Sequence, residues 1–282
     1  MKKVFKSAGI VARFDKKAAI KLAENLAEHL RKKGIEVYVE DTLSGKVNPR
    51  EKTISLEQMK TDLIITIGGD GTIFRTCVAI PKPEPPILAI NMGVRGFLTE
   101  VEPKQAFDAL EKCLRGEFRI ERCMKLAVSA DGVKLPDALN DVVVSSGDPL
   151  KIFYARILKD EKPVLKCQAD GLIISTQTGS TGYSLSAGGP VLDPEVDAFV
   201  LTPICSLTVF RSLVFPANST LTIEAMRPKK MLVFIDGNYR QPITSETPRL
   251  VVTHSKHETS FIRFKEDFYH RLRSRLIFKG MG

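Results

Sequence analysis

The sequence is poor in features that would place the protein in a membrane or outside the cell. No apolar run approaches the roughly 20 residues that a membrane-spanning helix needs. The first residues lack the long apolar core of a signal peptide. The five cysteines are odd in number and widely scattered, which favours free thiols in a reducing compartment over a disulfide framework. We therefore expect a cytoplasmic protein without a membrane partner.

Side chains that could build a dedicated metal site are also scarce. The cysteines lack metal-ligand spacing, and the four histidines form no metal motif. His254 and His257 are three residues apart, but in a β region this spacing does not put them on one face. The sequence thus predicts no metal ion held by protein ligands alone.

The charge of the chain points to an anionic partner. The formal net charge is +9 over 282 residues. The basic residues are spread along the chain and are not interleaved with aromatic residues, so we expect no nucleic-acid partner. A polyanionic small molecule such as a nucleotide fits this charge, although a solvated basic surface is its commonest origin.

The most informative stretch is a glycine-rich turn at residues 68–72, with the sequence GGDGT. It follows an apolar, β-branched run typical of a buried strand and precedes apolar residues at helical spacing. The glycines let the backbone approach a ligand, and free N–H groups at a helix start suit a phosphate. Asp70 places a carboxylate at the tip, where it could accept a proton or hold a metal ion. The alternative is an ordinary turn in which Asp70 caps the helix.

Strands alternate with helices in the first part of the chain, which predicts a parallel, Rossmann-like sheet covered by helices. In such sheets ligands bind beyond the carboxyl ends of the strands, where Asp70 is expected. A second glycine-bearing turn, 91–99, follows another strand and is expected at the same edge. The predicted strands are 4–12, 35–40, 63–67 and 87–90, and the predicted helices are 16–33 and 103–115.

The pattern changes near residue 118, where strand-like segments begin to follow one another directly. This predicts three parts: an α/β nucleotide-binding domain over 1–117, an all-β, mostly antiparallel and sandwich-like domain over 118–264, and a basic helix within 265–282 that packs back on the first domain. The later strands are predicted to include 206–209, 250–253 and 260–264.

The second part contains a segment, 168–192, that is rich in small hydroxyl side chains and glycine. Such a composition makes poor core but suits a backbone that hydrogen-bonds a polar ligand. A flexible linker is the alternative, but Tyr183 and the adjoining apolar strand disfavour it. Asn140 and Asp141, ahead of another strand, could hold both hydroxyls of a ribose, although such a pair is more often a plain turn.

Together these motifs resemble those of the NAD kinases, over most of the chain. The GGDG turn alone also occurs in diacylglycerol-type and sphingosine-type lipid kinases. The resemblance is specific because the chain combines this turn with the long Thr/Ser/Gly run. The length and domain order resemble those of prokaryotic, archaeal-like enzymes that use ATP or polyphosphate. The matching segments are GGDGT (68–72), NMG…GFLT (91–99), Asn140-Asp141, DGLIIST (170–176) and TGSTGYSLSAGGP (178–190).

The resemblance implies transfer of the terminal phosphoryl group of ATP, or of another donor, to the 2′-hydroxyl of the adenosine ribose of NAD, giving NADP. It implies that Asp70 is catalytic and receives the hydroxyl proton. It also implies Mg²⁺ or another divalent cation on the donor phosphates, and a homodimer or homotetramer. The ligand-binding residues that it implies are Gly68, Gly69, Asp70, Gly71, Arg75, Phe97, Asn140, Asp141, Asp170, Thr178, Thr181, Gly182, Tyr183, Ser184, Leu185 and Ser186.

Three positions depart from the family pattern. The family usually has Asn-Glu at Asn140-Asp141, Pro at Gln177 and often Ala at Gly182; an Asp keeps the carboxylate but shortens its reach. Two other functions stay open. A lipid or sphingoid kinase would share the turn but would need an apolar pocket. A non-catalytic NAD(P)-binding regulator would tolerate the loss of Asp70.

Overall fold

The structure is a computed structural model that describes residues 4–48, 52–93, 96–148, 151–265 and 268–273. The chain divides into two compact units. The first unit combines Met1–Arg122 with Thr259–Gly282, and the second unit is Cys123–Glu258. These limits differ by a few residues from those predicted near 118 and 264, and the predicted division into functional domains stays a proposal.

The first unit contains a parallel sheet in the order β5-β4-β1-β2-β3. Its central strand β4 is buried at every residue, as expected for a strand covered on both faces. The predicted parallel α/β architecture is therefore confirmed. The strands are β1 Ser7–Ala12, β2 Glu36–Glu40, β3 Lys52–Ile54, β4 Leu63–Gly68 and β5 Ile87–Asn91, and the helices are α1 Lys17–Lys32, α2 Asp70–Ala79 and α3 Ala106–Arg115.

The remaining elements are mostly strands. They are β6 Arg119–Ala130, β7 Val133–Lys134, β8 Asp141–Ser145, β9 Phe153–Lys159, β10 Lys162–Ala169, β11 Gly171–Ser175, α4 Tyr183–Ser186, β12 Ala198–Ile204, β13 Leu213–Pro216, β14 Leu221–Arg227, β15 Lys230–Ile235, β16 Tyr239–Thr244, β17 Arg249–Arg263 and α5 Phe268–Leu272. Two of them cross the unit limits: β6 begins in the first unit and β17 ends there, where Phe261 pairs with Ile87 of β5.

The second unit has two antiparallel layers. One is a six-stranded sheet in the order β13-β12-β11-β8-β15-β16, and the other joins β10, β9, β14 and β17. A single apolar cluster contains side chains of both layers, among them Val144 and Ile174 from the first and Ile157 and Val252 from the second. The two layers therefore enclose one core, and the predicted sandwich-like β domain is confirmed.

The details of the later elements differ from the prediction. No strand is formed at 206–209, which lies between β12 and β13. The segments 250–253 and 260–264 belong largely to one strand, β17, of 15 residues. Of the predicted C-terminal helix, α5 is described and Phe268 contacts Phe97 edge-on at 5.5 Å; residues 266–267 and 274–282 lie outside the described residues. No helix of the described ranges is long and apolar enough to cross a membrane.

Candidate active site

The glycine-rich turn connects β4 to α2 at the carboxyl end of the central strand. Gly68 ends β4, Gly69 is the N-cap and Asp70 is the first residue of α2. The carbonyl of Gly69 accepts the N–H of Thr72 at 3.0 Å. Asp70 therefore does not occupy the N-cap position, and its carboxylate is used elsewhere.

The glycines of this turn serve different purposes. A Cβ on Gly68 would lie 2.1 Å from Oγ1 of Thr72, so the fold itself requires a glycine there. At Gly69 and Gly71 no described atom lies within 4 Å of the position that a Cβ would take. The backbone at these two residues is therefore open to a ligand.

The carboxylate of Asp70 is held by the loop after β5. The N–H of Phe97 donates to Oδ2 at 2.6 Å, and the N–H of Leu98 donates to Oδ1 at 3.1 Å. A Cβ on Gly96 would come within 3.0 Å of Oδ1, so this close approach depends on a glycine. Asp70 stays half-buried. Val94 and Arg95 of the same loop lie outside the described residues.

Arg75, predicted to meet phosphate, is engaged by a carboxylate in this structure. Both of its terminal nitrogens donate to Glu40, with Nη2 at 2.8 Å from Oε2. Glu40 is only 1% exposed, and burial lowers the pKa of Arg75. The pair links α2 to the end of β2.

Two cations that sequence analysis missed lie next to the glycine turn. Arg13 follows β1, and its Cγ would be 3.2 Å from a Cβ on Gly68. Its Nε donates to Oδ1 of Asp15 at 2.9 Å, and the Nζ of Lys16 donates to the carbonyl of Met92. The available signal was their position in the connection between β1 and α1, since all parallel strands of a sheet end at one edge.

In the second unit, the antiparallel pairing of β8 with β11 brings the predicted dinucleotide residues together. Asn140 precedes β8 and Thr176 follows β11, so the two meet: the N–H of Thr176 donates to the carbonyl of Asn140 at 2.9 Å. A Cβ on Gly179 would lie 1.9 Å from that carbonyl oxygen. The segment 176–186 is therefore folded tightly onto Asn140 and does not behave as a linker.

The side chains of this segment divide by exposure. Ser184 is buried and its hydroxyl lies 2.9 Å from that of Thr202, so it serves the fold. Thr181 is also buried, and its hydroxyl donates to the carbonyl of Thr178 at 3.0 Å. Tyr183 is 47% exposed and Ser186 is exposed, so both present groups to solvent.

Two further members of the segment differ in surroundings. Leu185 is half-buried. At Gly182, a Cβ would lie 3.3 Å from Nδ2 of Asn140 and from the carbonyl oxygen of Gly179, so a side chain there would require a small shift of these neighbours.

A third residue that sequence analysis missed, Asp236, orders the Asn140-Asp141 pair. Its Oδ1 accepts the N–H groups of Asn140 at 2.7 Å and Asp141 at 3.1 Å, and its Oδ2 accepts that of Leu139 at 2.8 Å. Burial raises the pKa of Asp236, and these donors and the charge of buried Lys125 offset only part of that effect.

Asp141 itself is 7% exposed. Burial, and then the nearby charge of Asp236, raise its pKa to about 7. A carboxyl group in this range is partly protonated near neutral pH, so it can donate as well as accept a hydrogen bond.

Asp170 is not brought to the other dinucleotide residues of its unit. It is exposed and precedes β11, whereas Asn140 lies at the opposite end of that strand, because Ser175 pairs with Asp141 and Gly171 with Ser145. Within the described part of the chain, no group of three or more His, Cys, Asp or Glu side chains is arranged to hold a metal ion.

A parallel α/β unit with an acidic glycine turn, followed by a β unit with a hydroxyl-rich turn, has the fold of a nucleotide-dependent phosphotransferase. The chain belongs to the NAD kinase family. The model of the ATP-NAD kinase N-terminal domain matches residues 8–118, and that of the ATP-NAD kinase C-terminal domain matches residues 139–264. The resemblance inferred from the sequence motifs is thus confirmed.

Individual relatives agree with this assignment. The chain is 42% identical to an NAD kinase of Methanothermobacter thermautotrophicus, covering 97% of both chains, and 40% identical to one of Thermococcus sibiricus, covering 93% of this chain and 95% of the relative. A crystal structure of an Archaeoglobus fulgidus NAD kinase in complex with ATP matches with a TM-score of 0.76 at 28% identity, covering 95% and 96%. Yeast NADH kinase complexed with NADH shares the fold, with a TM-score of 0.89 at 23% identity, covering 98% and 89%.

Proposed function

We propose that this protein is an NAD kinase that transfers the terminal phosphoryl group of ATP to the 2′-hydroxyl of the adenosine ribose of NAD. The observation that carries this proposal is the half-buried carboxylate of Asp70, held by two backbone N–H groups beside an open glycine turn. Membership of the NAD kinase family supports the choice of substrates.

We assign to Asp70 the proton of the attacking hydroxyl. A bond forms between the 2′-oxygen and the γ-phosphorus, the bond to the β–γ bridging oxygen breaks, and ADP leaves. In a loose transition state the hydroxyl need not lose its proton early. Asp70 would orient the hydroxyl as an acceptor and take the proton as the new bond completes.

The donor phosphates would lie against the open backbone of Gly69 and Gly71 and the first N–H groups of α2, a helix of ten residues. Arg13 and Lys16 are the nearby cations. Arg75 could neutralise a phosphate only if it gave up its contact with Glu40. In the observed arrangement we propose that Arg75 anchors α2 to the end of β2.

In the second unit, the amide of Asn140 and the carboxyl of Asp141 would bind ribose hydroxyls. The backbone of Asn140 is fixed for this by Asp236 and Thr176. Tyr183 has the exposure needed to stack on a base. The other proposed dinucleotide residues of this unit are Thr178, Thr181, Gly182, Ser184, Leu185 and Ser186, of which Ser184 would act through the fold. Phe97 of the first unit, and Asp170 at the other end of β11 from Asn140, are also proposed to bind the ligand.

A divalent cation fits this donor set as part of the nucleotide substrate. Mg²⁺ is usually held by one or two carboxylates together with substrate phosphates. Asp70 is the carboxylate at the glycine turn, and no larger ligand group occurs among the described residues. The cation would supply charge neutralisation on the phosphates when bound.

We further propose that the protein is a cytoplasmic homodimer or homotetramer without nucleic-acid or membrane partners. In this proposal residues 1–117 bind nucleotide, residues 118–264 bind NAD, and residues 265–282 pack back on the first domain. The free cysteines support the location. A lipid kinase is disfavoured by family membership, and a non-catalytic regulator by the ordered carboxylate of Asp70.

One assay tests the proposal. Purified protein is incubated with Mg²⁺, a donor (ATP or polyphosphate) and one acceptor (NAD, NADH, diacylglycerol or sphingosine), and NADP or NADPH and the phosphorylated lipids are quantified. We expect NADP from NAD and ATP. Phosphorylation of a lipid alone, or NAD binding without product from any donor, would overturn the proposal.

A further inference from the structure

The first unit buries an arginine that no part of the proposed mechanism uses. Arg263, at the end of β17, is 1% exposed and is among the largest fully buried side chains. Its Nε donates to Oε2 of Glu121 at 2.5 Å, and its guanidinium carbon lies 4.8 Å from the centre of the Phe261 ring. Burying a cation is costly, and replacing a buried ion pair by apolar side chains is often neutral or stabilising. Stability alone is therefore a weak reason for an arginine here.

The other end of the same guanidinium reaches the loop that holds Asp70. Nη1 of Arg263 donates to the carbonyl of Leu98 at 2.6 Å. The N–H of Leu98 donates in turn to Oδ1 of Asp70 at 3.1 Å. Leu98 is thus fixed on both sides, by Arg263 at its carbonyl and by Asp70 at its N–H.

We propose that Arg263 is a positioning residue for Asp70: by holding the Leu98 carbonyl, it sets the loop so that the N–H groups of Phe97 and Leu98 fix the Asp70 carboxylate at the glycine turn. The inference rests on the proposed function, in which Asp70 meets the acceptor hydroxyl. The carbonyl and the N–H of Leu98 belong to successive peptide groups, so Arg263 acts by fixing geometry.

The chemistry of the contact requires arginine. Nε donates to Glu121 while Nη1 donates to the Leu98 carbonyl, and the rigid, planar guanidinium group fixes the angle between these two hydrogen bonds. A lysine has a single nitrogen and cannot hold both in the same geometry. The neighbouring charges support ionised partners: burial alone would raise the pKa of Glu121, but Arg263, Arg271 and Arg119 lower it below its usual value.

The test compares Arg263→Lys and Arg263→Met with Glu121→Gln as a matched control. The control weakens the same buried ion pair but keeps the donor to Leu98. We expect both Arg263 variants to lose about tenfold or more in kcat, since small displacements of reacting groups have effects of this size, with the KM for NAD little changed. We expect Glu121→Gln to lower the melting temperature and leave kcat close to that of the unchanged protein.

Hydrogen exchange gives a readout that does not need activity. The amides of Phe97 and Leu98 should exchange faster in Arg263→Lys than in Glu121→Gln, because only the first loosens the loop. If Arg263→Met fails to fold, the Lys variant still decides. The inference would be overturned if kcat fell equally in all three variants, in step with the melting temperature. It would also be overturned if hydrogen exchange at the Phe97 and Leu98 amides did not change.

The most decisive measurement is the kinetic coupling between Arg263 and Asp70 in a double variant. If Arg263 acts through Asp70, adding Arg263→Lys to Asp70→Asn should reduce the residual kcat little further, since the group being positioned is already absent. Independent, multiplying losses would contradict the positioning role. Absence of NADP formation by the unchanged protein would overturn the proposed function, whereas the exchange experiment would still test the link between Arg263 and the loop.

Discussion

Asp70 in the first unit and Asp236 in the second each accept several backbone N–H groups, and the two aspartates differ in what remains accessible. Asp236 of the second unit accepts three N–H groups and is 5% exposed. Asp70 of the first unit accepts two and stays half-buried, beside backbone that no described side chain covers. The same kind of contact thus orders a loop in one unit and, in the other, fixes a carboxylate beside the glycine turn.

The comparison teaches that collecting N–H groups does not by itself mark a catalytic carboxylate. Access distinguishes these two residues: Asp236 orders Leu139, Asn140 and Asp141 from inside the protein, whereas Asp70 is held by its loop at the open turn. Substitution should therefore damage chemistry at Asp70 and structure at Asp236.

The largest effect is expected for Asp70→Asn. Asparagine is close to isosteric but cannot take up the hydroxyl proton, and its N–H₂ group would face one of the two N–H donors of the loop, so kcat should fall by about 10²–10⁴-fold. The dissociation constant for NAD should change little. Steady-state kinetics and calorimetry on one preparation measure both, and a loss of kcat below about tenfold, or 1.4 kcal/mol of barrier, would exclude Asp70 as the proton acceptor.

Asp236→Asn should show the opposite pattern. The amide would turn an N–H₂ group toward N–H donors and leave some of them unsatisfied, at a cost of about 1–3 kcal/mol in the free energy of unfolding. NAD affinity should fall with the order of Asn140, while kcat at saturating NAD falls far less than in Asp70→Asn. Urea denaturation checks the first expectation, and stability equal to that of the unchanged protein would show that Asp236 does not order this loop.

Within the second unit, Tyr183→Ala should weaken NAD binding by about 1–3 kcal/mol, the range for an aromatic side chain stacked on a base. Tyr183 is exposed, so the melting temperature should hardly change. Ser184→Ala is the matched control, because its buried hydroxyl contacts Thr202 and its loss should affect stability more than affinity. Unchanged NAD affinity in a folded Tyr183→Ala protein would remove Tyr183 from the site.

The last prediction concerns the dependence of stability on pH. Because the pKa of Asp141 is raised to about 7, the folded protein binds a proton that the unfolded chain releases near pH 4. This group therefore contributes stability at low pH that is lost as the pH rises from about 4 to about 7, and the contribution is constant above that range. Asp141→Asn should show a shallower decline between pH 5 and 7 in urea denaturation. Identical slopes for both proteins would mean that Asp141 is ionised throughout.

The sequence was sufficient for the parts of the fold that are decided locally. The order β4, glycine turn and α2 follows from neighbouring residues, namely an apolar strand, glycines and helical spacing. The strand β3 was missed because its three residues adjoin a polar stretch that indicates a loop. A strand was predicted at 206–209, between β12 and β13, because a short β-branched run there resembles an edge strand.

Two of the missed residues, Arg263 and Asp236, lie far along the chain from the groups that they contact. Arg263 contacts a loop 165 residues before it, and Asp236 contacts a residue 96 positions before it. No periodicity or local motif can link residues so far apart. A buried charge becomes informative only when its partners are known, so single-sequence reasoning could name Asp70 but not the groups that hold it.

The contact between Gly179 and Asn140 limits how the second unit could be redesigned. Even a single added methyl group at position 179 would overlap the carbonyl oxygen at position 140. A library that varies position 179 should consist mostly of misfolded members, because the backbones of two separate turns would have to shift together. Attempts to change acceptor preference should therefore start from the exposed Tyr183 and Ser186, where new side chains can be introduced one at a time.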